Sequence, residues 1–332
     1  PKAMSRRLCY RVITMKKFLS LTAIALASSL LVAAPSAQAG YTTTKYPILL
    51  VHGLLGFKNF MGADYFYQIP STLQSEGAKV HVATVSAVGS SELRGEQLLQ
   101  EMLSLKAIYG YSKFNLIGHS QGSPTSRYAA AARPDLVASV TSVNGVNKGA
   151  RGADIVRKVA PAGTVTSAVF ATVTNGFATL LTFAYGSPNL DQNSLNALDS
   201  LTTNGLTAFN KKYPAGVPSA CGEGAYSYNY VKNGVTYPVK YYSWGGVSQL
   251  TNVLDPLDAG IGLLSAAFLF SGEKNDGLVG ECSQRLGKVV RSDYWSNHLD
   301  AVNGFFGIVN LFETNPKSIY RAHANRLQTA GL

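Results

Sequence analysis

The stretch Gly118-His119-Ser120-Gln121-Gly122 constrains the fold of this chain more than any other five residues. Ahead of it, Phe114-Asn115-Leu116-Ile117 is a short apolar run that reads as a buried strand. Behind it, Pro124 to Ala132 is alanine-rich with a proline near its start, as a helix entrance prefers. A chain that reverses from strand to helix within so few residues forces its middle residue into a strained backbone geometry, and only glycine neighbours leave room for that. The pattern is that of a nucleophile elbow, G-x-S-x-G, which lifts a serine hydroxyl clear of a sheet and aims the following backbone N–H groups at a substrate. A glycine loop with a chance serine is the competing reading, and the strand before and helix after argue against it.

The rest of the chain repeats that alternation. Tyr46 to Val51 is a continuous apolar run suited to a strand covered on both faces, and Lys79 to Val85 is rich in β-branched residues. Gly95 to Leu105 spaces Leu98, Met102 and Leu105 as a helix would, and Val137 to Val143 is strand again. Such an order predicts βαβ units and a parallel sheet in one α/β domain. From Gly163 to Leu190 there is no charged residue, yet the stretch is too polar for a transmembrane helix. It reads either as a buried helix pair or as a mobile cap over an active site, and an uncharged insertion after the fourth strand favours the cap. A second apolar stretch, within Asp255 to Phe270, reads as core.

Residues 1–39 read as a processing segment. Met15-Lys16-Lys17 is a basic start, preceded by an extension; Phe18 to Ala34 is apolar, and Ala37-Gln38-Ala39 is a small-x-small cleavage site. An uncleaved membrane anchor is the alternative, disfavoured by the serines, the threonine and the terminal A-x-A. Cleavage would remove Lys2, Arg6, Arg7, Arg11, Lys16 and Lys17 and no acid, so the net charge falls from +11 to +5. With no cluster of Lys and Arg interleaved with aromatics, that excess makes no case for nucleic-acid binding. Cys9 leaves with the leader, and an exported chain with only Cys221 and Cys282 suggests a disulfide, two buried thiols being the alternative.

A serine hydroxyl needs a base, and the base an acid that fixes its tautomer. Of five histidines, His119 lies inside the elbow and is expected to point away from the serine's chemistry, His52 precedes a glycine turn and His81 lies in a strand. His298 and His323 follow the serine, as the order Ser, acid, His requires. His298, in a polar loop, suits a base; His323 sits on a helix near the terminus and reads as a surface or packing residue. For the acid, Asp276 in a turn-rich loop is the first candidate, with Asp255, Asp258 and Asp293 open on spacing alone. His52-Gly53, after the first strand, lets the backbone turn in, so that the N–H of Leu54 pairs with that of Gln121 to bind an oxyanion.

Taken together, "YPILLVHGLLGF", "RGEQLL", "NLIGHSQG", "SACGEGAY", "LTNVLDPLDA", "NDGLVGECS" and "NHLDAVN" resemble the secreted family I true lipases of Gram-negative bacteria over residues 40–332. The resemblance implies an α/β-hydrolase fold, a parallel sheet flanked by helices with a helical lid, and a Ser120, Asp276, His298 triad acting on triacylglycerols at a lipid–water interface. It also implies a Cys221–Cys282 disulfide and one structural Ca2+ held by the Asp255 and Asp300 carboxylates and the Gly304 and Ile308 carbonyls, hard oxygen ligands of the kind calcium takes. A dedicated folding chaperone is a partner that some members of the family require. Two residues depart from the family pattern: Ser123 stands where relatives commonly carry glycine, and Lys148 where many have histidine. A carboxylesterase on soluble short-chain esters shares every catalytic residue, and a catalytically silent surface-binding protein is the reading from outside enzymes.

Overall fold

The computed structural model describes residues 40–56, 59–60, 63–160, 165–185, 192–304 and 306–332. The expected leader, and both ends of the uncharged 163–190 stretch, lie outside them. The first strand, β1 (Ile48–Val51), is buried at every position. Its uniform apolarity has a direct cause, because successive side chains point to opposite faces and both faces are covered. Leu49 and Val51 enter one core with Leu98, Met102, Phe114 and Leu116. Ile48 and Leu50 enter another with Phe66, Ile69, Ile117, Trp244 and Tyr320. Truncating such a residue to alanine costs about 2–5 kcal/mol.

Around β1 the sheet adds β2 (Val80–Val82), β3 (Phe114–His119), β4 (Val137–Val143), β5 (Ser227–Lys232), β6 (Val235–Gly246) and β7 (Lys288–Tyr294). Their order is β2-β1-β3-β4-β6-β5, with β7 beside β6. Every pairing is parallel except β5 with β6. β5 and β6 meet through Asn233 and Gly234, both at positive φ (51° and 75°), as a tight hairpin turn demands. The helices Ser91–Tyr109 and Gly122–Ala132 cover one face; Ile69–Gln74 and the C-terminal helix Pro316–Thr329 cover the other. The parallel sheet predicted from the sequence is therefore present, and the elbow closes its central strand.

Two boundaries differ from the sequence reading. The second strand pairs only to Val82, short of Val85, because the Thr84 N–H is taken by the Glu101 carboxylate (2.7 Å) and the Ser86 N–H by the Gln97 amide (2.7 Å). Those side chains belong to the helix Ser91–Tyr109, which also starts earlier than its apolar spacing indicated. Ser90 caps it, accepting from Leu93 N–H, and Gly110 ends it in the left-handed region.

Above the carboxyl ends of the strands lies a third cluster that includes Val146, Ile155, Val173, Phe177, Leu198, Leu264, Phe268 and Val279. One of its walls is the helix Ser167–Tyr185, inside the uncharged stretch. Val169, Val173, Phe177 and Leu181 are buried at helical spacing, while Thr172, Thr174, Thr179 and Thr182 each donate to the carbonyl four residues back. Its polar side chains thus satisfy themselves locally. Among the described residues no helix is long and apolar enough to cross a membrane. The stretch read as core at 255–270 is only partly so: Ile261, Leu264 and Phe268 are buried, but Leu269 and Phe270 are 67% and 71% exposed.

Candidate active site

Ser120 follows β3 directly and has φ 55°, so the strained elbow predicted from the glycine pair is present. A Cβ at Gly118 would overlap the Gly122 carbonyl, and one at Gly122 would overlap the Val51 carbonyl, so no larger residue fits either place. The turn is tied to its neighbours by Ser120 N–H donating to the Val143 carbonyl (3.0 Å) and Val146 N–H donating to the Ser120 carbonyl (3.2 Å). Strand β4 therefore holds the backbone of Ser120 from the side.

Asp276 and His298 meet as expected. His298 Nδ1 lies 2.7 Å from Asp276 Oδ2, and His298 N–H donates to the Asp276 carbonyl (2.9 Å). The carboxylate is completely buried and accepts from four donors: His298 Nδ1–H and Asn144 Nδ2 (2.8 Å) on one oxygen, Leu278 and Val279 N–H (3.0 and 2.7 Å) on the other. Acceptance on that side puts the imidazole hydrogen on Nδ1 and leaves Nε2 with a lone pair. Ser120 and His298 line one apolar cleft, about 1070 Å³ including its mouth, with Leu54, Val146, Phe177, Leu180, Leu201 and Leu257. Phe177 and Leu180 come from the helix Ser167–Tyr185, so the serine lies beneath it, 7% exposed.

Leu54 borders the same cleft, and neither its N–H nor that of Gln121 has an acceptor among the described residues. Gly53 must lack a side chain here, since its Cβ would lie 2.6 Å from that of Ser120. The two segments are clamped by Arg94, which is fully buried. One guanidinium nitrogen donates to the Gly53 carbonyl (3.0 Å) and to Gln121 Oε1 (2.8 Å), and another donates to the His52 carbonyl. Burial and the Arg94 charge lower the His52 pKa from 6.5 to about 4, keeping that ring neutral. The sequence assigns no role to Arg94 or Asn144: Arg94 enters only as the first residue of the family-like "RGEQLL", and an asparagine at a strand end carries no local pattern.

The other candidate acids separate cleanly. Asp293 is paired with Arg291 (2.8 Å) at the surface. Asp258 accepts from Thr251 N–H (2.6 Å), Asn252 N–H (2.8 Å) and Asn297 Nδ2 (2.6 Å), and so holds the residue next to His298. Asp255 and Asp300 are both buried, and among the described residues Asp255 Oδ2 and Asp300 Oδ1 have no hydrogen-bond partner. Burial raises the Asp255 carboxyl to about 6 and that of Asp300 to about 7. Gly304 lies against the Ile308 carbonyl. Buried carboxylate oxygens without a donor are of the kind that a hard divalent cation takes. Among the described residues no group of three or more His, Cys, Asp or Glu side chains converges, so such a cation would depend on carbonyls.

His323 is fully buried, bonded to Thr141 Oγ1 (2.8 Å) and packed on Trp244, a packing histidine. His81 meets the Tyr111 hydroxyl (3.1 Å). His119 departs from expectation: its ring reaches the loop that carries His298. Cys221 and Cys282 form a disulfide. Lys148 fastens both of its ends, donating from Nζ to the Ala220 carbonyl (2.8 Å) while its N–H donates to Ser283 Oγ (3.0 Å). Ser123 donates to Asn147 Oδ1 (2.8 Å), so both departures from the family pattern have partners of their own.

Comparison with known proteins agrees with this geometry. A family model described as the alpha/beta hydrolase fold matches residues 46–251. The chain is 52% identical to a triacylglycerol lipase of Vibrio cholerae, over 96% of this chain and 100% of the relative. It is 42% identical to one of Pseudomonas fragi over 87% and 98%, and 38% identical to one of Burkholderia plantarii over 90% and 91%. Among solved structures, a Bacillus licheniformis lipase in its mature form shares the fold with TM-score 0.57, 16% identity and coverage of 88% and 93%. Staphylococcus hyicus lipase does so with TM-score 0.52, 15% identity and coverage of 89% and 99%. The chain belongs to the triacylglycerol lipases of the α/β-hydrolase fold.

Proposed function

We propose that this lipase is secreted and hydrolyses triacylglycerols at a lipid–water interface through an acyl-enzyme on Ser120. The observation that carries the reading is the buried Asp276–His298 pair, whose histidine lines the same apolar cleft as Ser120. His298 Nε2 takes the Ser120 hydroxyl proton as Oγ attacks the ester carbonyl. The Leu54 and Gln121 N–H groups receive the oxyanion, a contribution of about 3 kcal/mol for each well-placed donor. The imidazolium, stabilised by Asp276, then gives its proton to the leaving alkoxide, and water repeats the sequence on the acyl-enzyme.

Interfacial action over soluble-ester hydrolysis is supported by the rim of the cleft. Val253, Leu254, Leu311 and Phe312 are between 76% and 100% exposed, on two loops joined by Asn252 Nδ2 donating to the Val309 carbonyl (2.9 Å). Leu257, from the first of those loops, lines the cleft itself. An apolar rim continuous with an apolar cleft suits a hydrocarbon surface. The helix Ser167–Tyr185, uncharged and apolar toward the cleft, is the cover that such a surface would draw aside.

Asp255 and Asp300, with the Gly304 and Ile308 carbonyls, are the residues that would hold calcium. A bound calcium would supply the charge that offsets two buried carboxylates beside the His298 loop. A dedicated folding chaperone and removal of residues 1–39 complete the reading; the amino terminus of the exported enzyme, expected at Gly40, tests the latter. The activity itself is tested by measuring hydrolysis of one triglyceride across its solubility limit. A jump in rate at the emulsion boundary is the expected result, whereas plain saturation kinetics would make the enzyme a carboxylesterase.

A further inference from the structure

His119 is the elbow residue whose side chain the reaction leaves unused, yet it is fully buried and its ring centroid lies 4.6 Å from that of His298. Its Nε2 is 2.9 Å from the His298 carbonyl oxygen. A carbonyl only accepts, so Nε2 carries a hydrogen. Burial and the neighbouring His298 hold the ring far below its usual pKa and therefore neutral, which leaves Nδ1 bare. Nδ1 accepts from the Tyr65 hydroxyl at 2.6 Å, and the Tyr65 oxygen accepts the Gly53 N–H at 3.0 Å. Donor and acceptor are thereby assigned at every link: Gly53 N–H to Tyr65 O–H to His119, and His119 Nε2–H to the His298 carbonyl.

The two ends of this chain are the two loops whose spacing the reaction depends on. Gly53 directly precedes Leu54, whose N–H is an oxyanion donor in the reading above, and His298 is the base. We propose that Tyr65 and His119 are positioning residues: a neutral hydrogen-bonded strut, anchored in the elbow, that sets the distance between the oxyanion loop and the catalytic histidine. The proposal rests on the assignment of Ser120 and His298 as nucleophile and base. Each half of the strut has a separate job. The tyrosine hydroxyl both satisfies a buried N–H and fixes the histidine tautomer; the histidine transmits that constraint to the backbone of the base. A phenylalanine at position 65 would leave the Gly53 N–H without this acceptor and Nδ1 without this donor.

The experiment compares Tyr65→Phe, His119→Gln, His119→Leu and Ser120→Ala on a soluble monomeric ester, with melting temperatures for each. A misplacement of about 1 Å costs on the order of a hundredfold in rate, so Tyr65→Phe and His119→Leu should lose roughly 10- to 100-fold in kcat. KM should stay within about twofold, because Tyr65→Phe removes only a hydroxyl from the cleft's apolar lining and His119 does not line it. His119→Gln, whose amide can donate to the His298 carbonyl and accept from Tyr65, should recover roughly tenfold over His119→Leu. A part that only fills space predicts instead that the two His119 variants fall together. The strut is overturned if folded Tyr65→Phe keeps kcat within about twofold of wild type, or if His119→Gln is no better than His119→Leu. Should Tyr65→Phe not fold, the His119 pair decides alone. Turnover by Ser120→Ala would overturn the underlying assignment itself, a result distinct from failure of the strut.

Discussion

Arg94 offers the sharpest test of how this site is held, because one of its contacts fixes the peptide plane that carries the Leu54 N–H. The Gly53 carbonyl that it binds and the Leu54 N–H belong to one peptide unit, so fixing the oxygen fixes the direction of the N–H on the opposite side. The same guanidinium reaches Gln121 Oε1, on the residue proposed to carry the second oxyanion donor. Lysine at this position keeps a positive charge but replaces a rigid fork by a point charge, which cannot serve the His52, Gly53 and Gln121 oxygens together. Complete loss of one oxyanion donor costs about 3–4 kcal/mol, or roughly 100- to 1000-fold in kcat. Arg94→Lys loosens the donors without deleting them, so a fall of roughly 30- to 100-fold in kcat on a soluble ester is expected, with KM within about threefold.

Arg94→Met should be worse in a second way. It leaves the Gly53 carbonyl and the Gln121 amide buried without this donor, at about 1–3 kcal/mol of stability each. The assay is kcat and KM below the solubility limit of the ester, beside the second-order rate of inactivation by a phosphonate that mimics the tetrahedral intermediate. Both rates should fall together, because both pass through a charged oxygen in the same place. A folded Arg94→Lys enzyme with kcat within about twofold of wild type would refute the reasoning, and would mean that the sheet alone places the Leu54 N–H.

Ser120→Ala and His298→Ala should each lower turnover by several orders of magnitude in a folded protein, measured as single-turnover acylation, because the triad acts as a unit. Separating Cys221 from Cys282 frees a loop spanning 61 residues and should cost about 4 kcal/mol, read as a shift in the denaturant midpoint of a Cys221→Ser, Cys282→Ser variant. If calcium occupies the Asp255 and Asp300 site, thermal unfolding of metal-stripped enzyme should rise with added calcium and not with magnesium, and Asp300→Ala should abolish the response. His52 and His323 are held neutral by burial, at about 4 and about 3 against 6.5 for the unfolded chain. The unfolded state therefore binds more protons, so stability is complete above about pH 6.5 and declines as pH falls, by roughly 2–3 kcal/mol per histidine at pH 4.5. Denaturant unfolding at pH 7.5 and 4.5 checks this, and a His323→Gln variant with an undiminished pH dependence would contradict it.

What could be read from the sequence follows a physical rule: features written in consecutive residues were legible, and features assembled across the fold were not. The elbow was legible because its glycines are demanded by backbone overlap within five residues, and β1 because a strand buried on both faces has no polar position to hide. The Asn233-Gly234 turn is equally local, though it was not read as a turn from the sequence. The proposed triad acid was only partly legible. Asp276 was the first candidate by its turn-rich loop and by family likeness, but spacing alone left Asp258 open, and what sets Asp276 apart is the convergence of Asn144, Leu278, Val279 and His298 on one carboxylate. Asp258 instead braces Asn297, a task that no motif encodes. His119 is the instructive case. Inside a strand-to-helix turn its side chain must point away from that of Ser120, which is correct as local stereochemistry. The expectation that this also takes it away from the serine's chemistry fails, because the ring reaches the loop that carries His298. A residue next to a nucleophile in sequence is thus well placed to support the base, which is where the hydrogen bonds of Tyr65 and His119 lead.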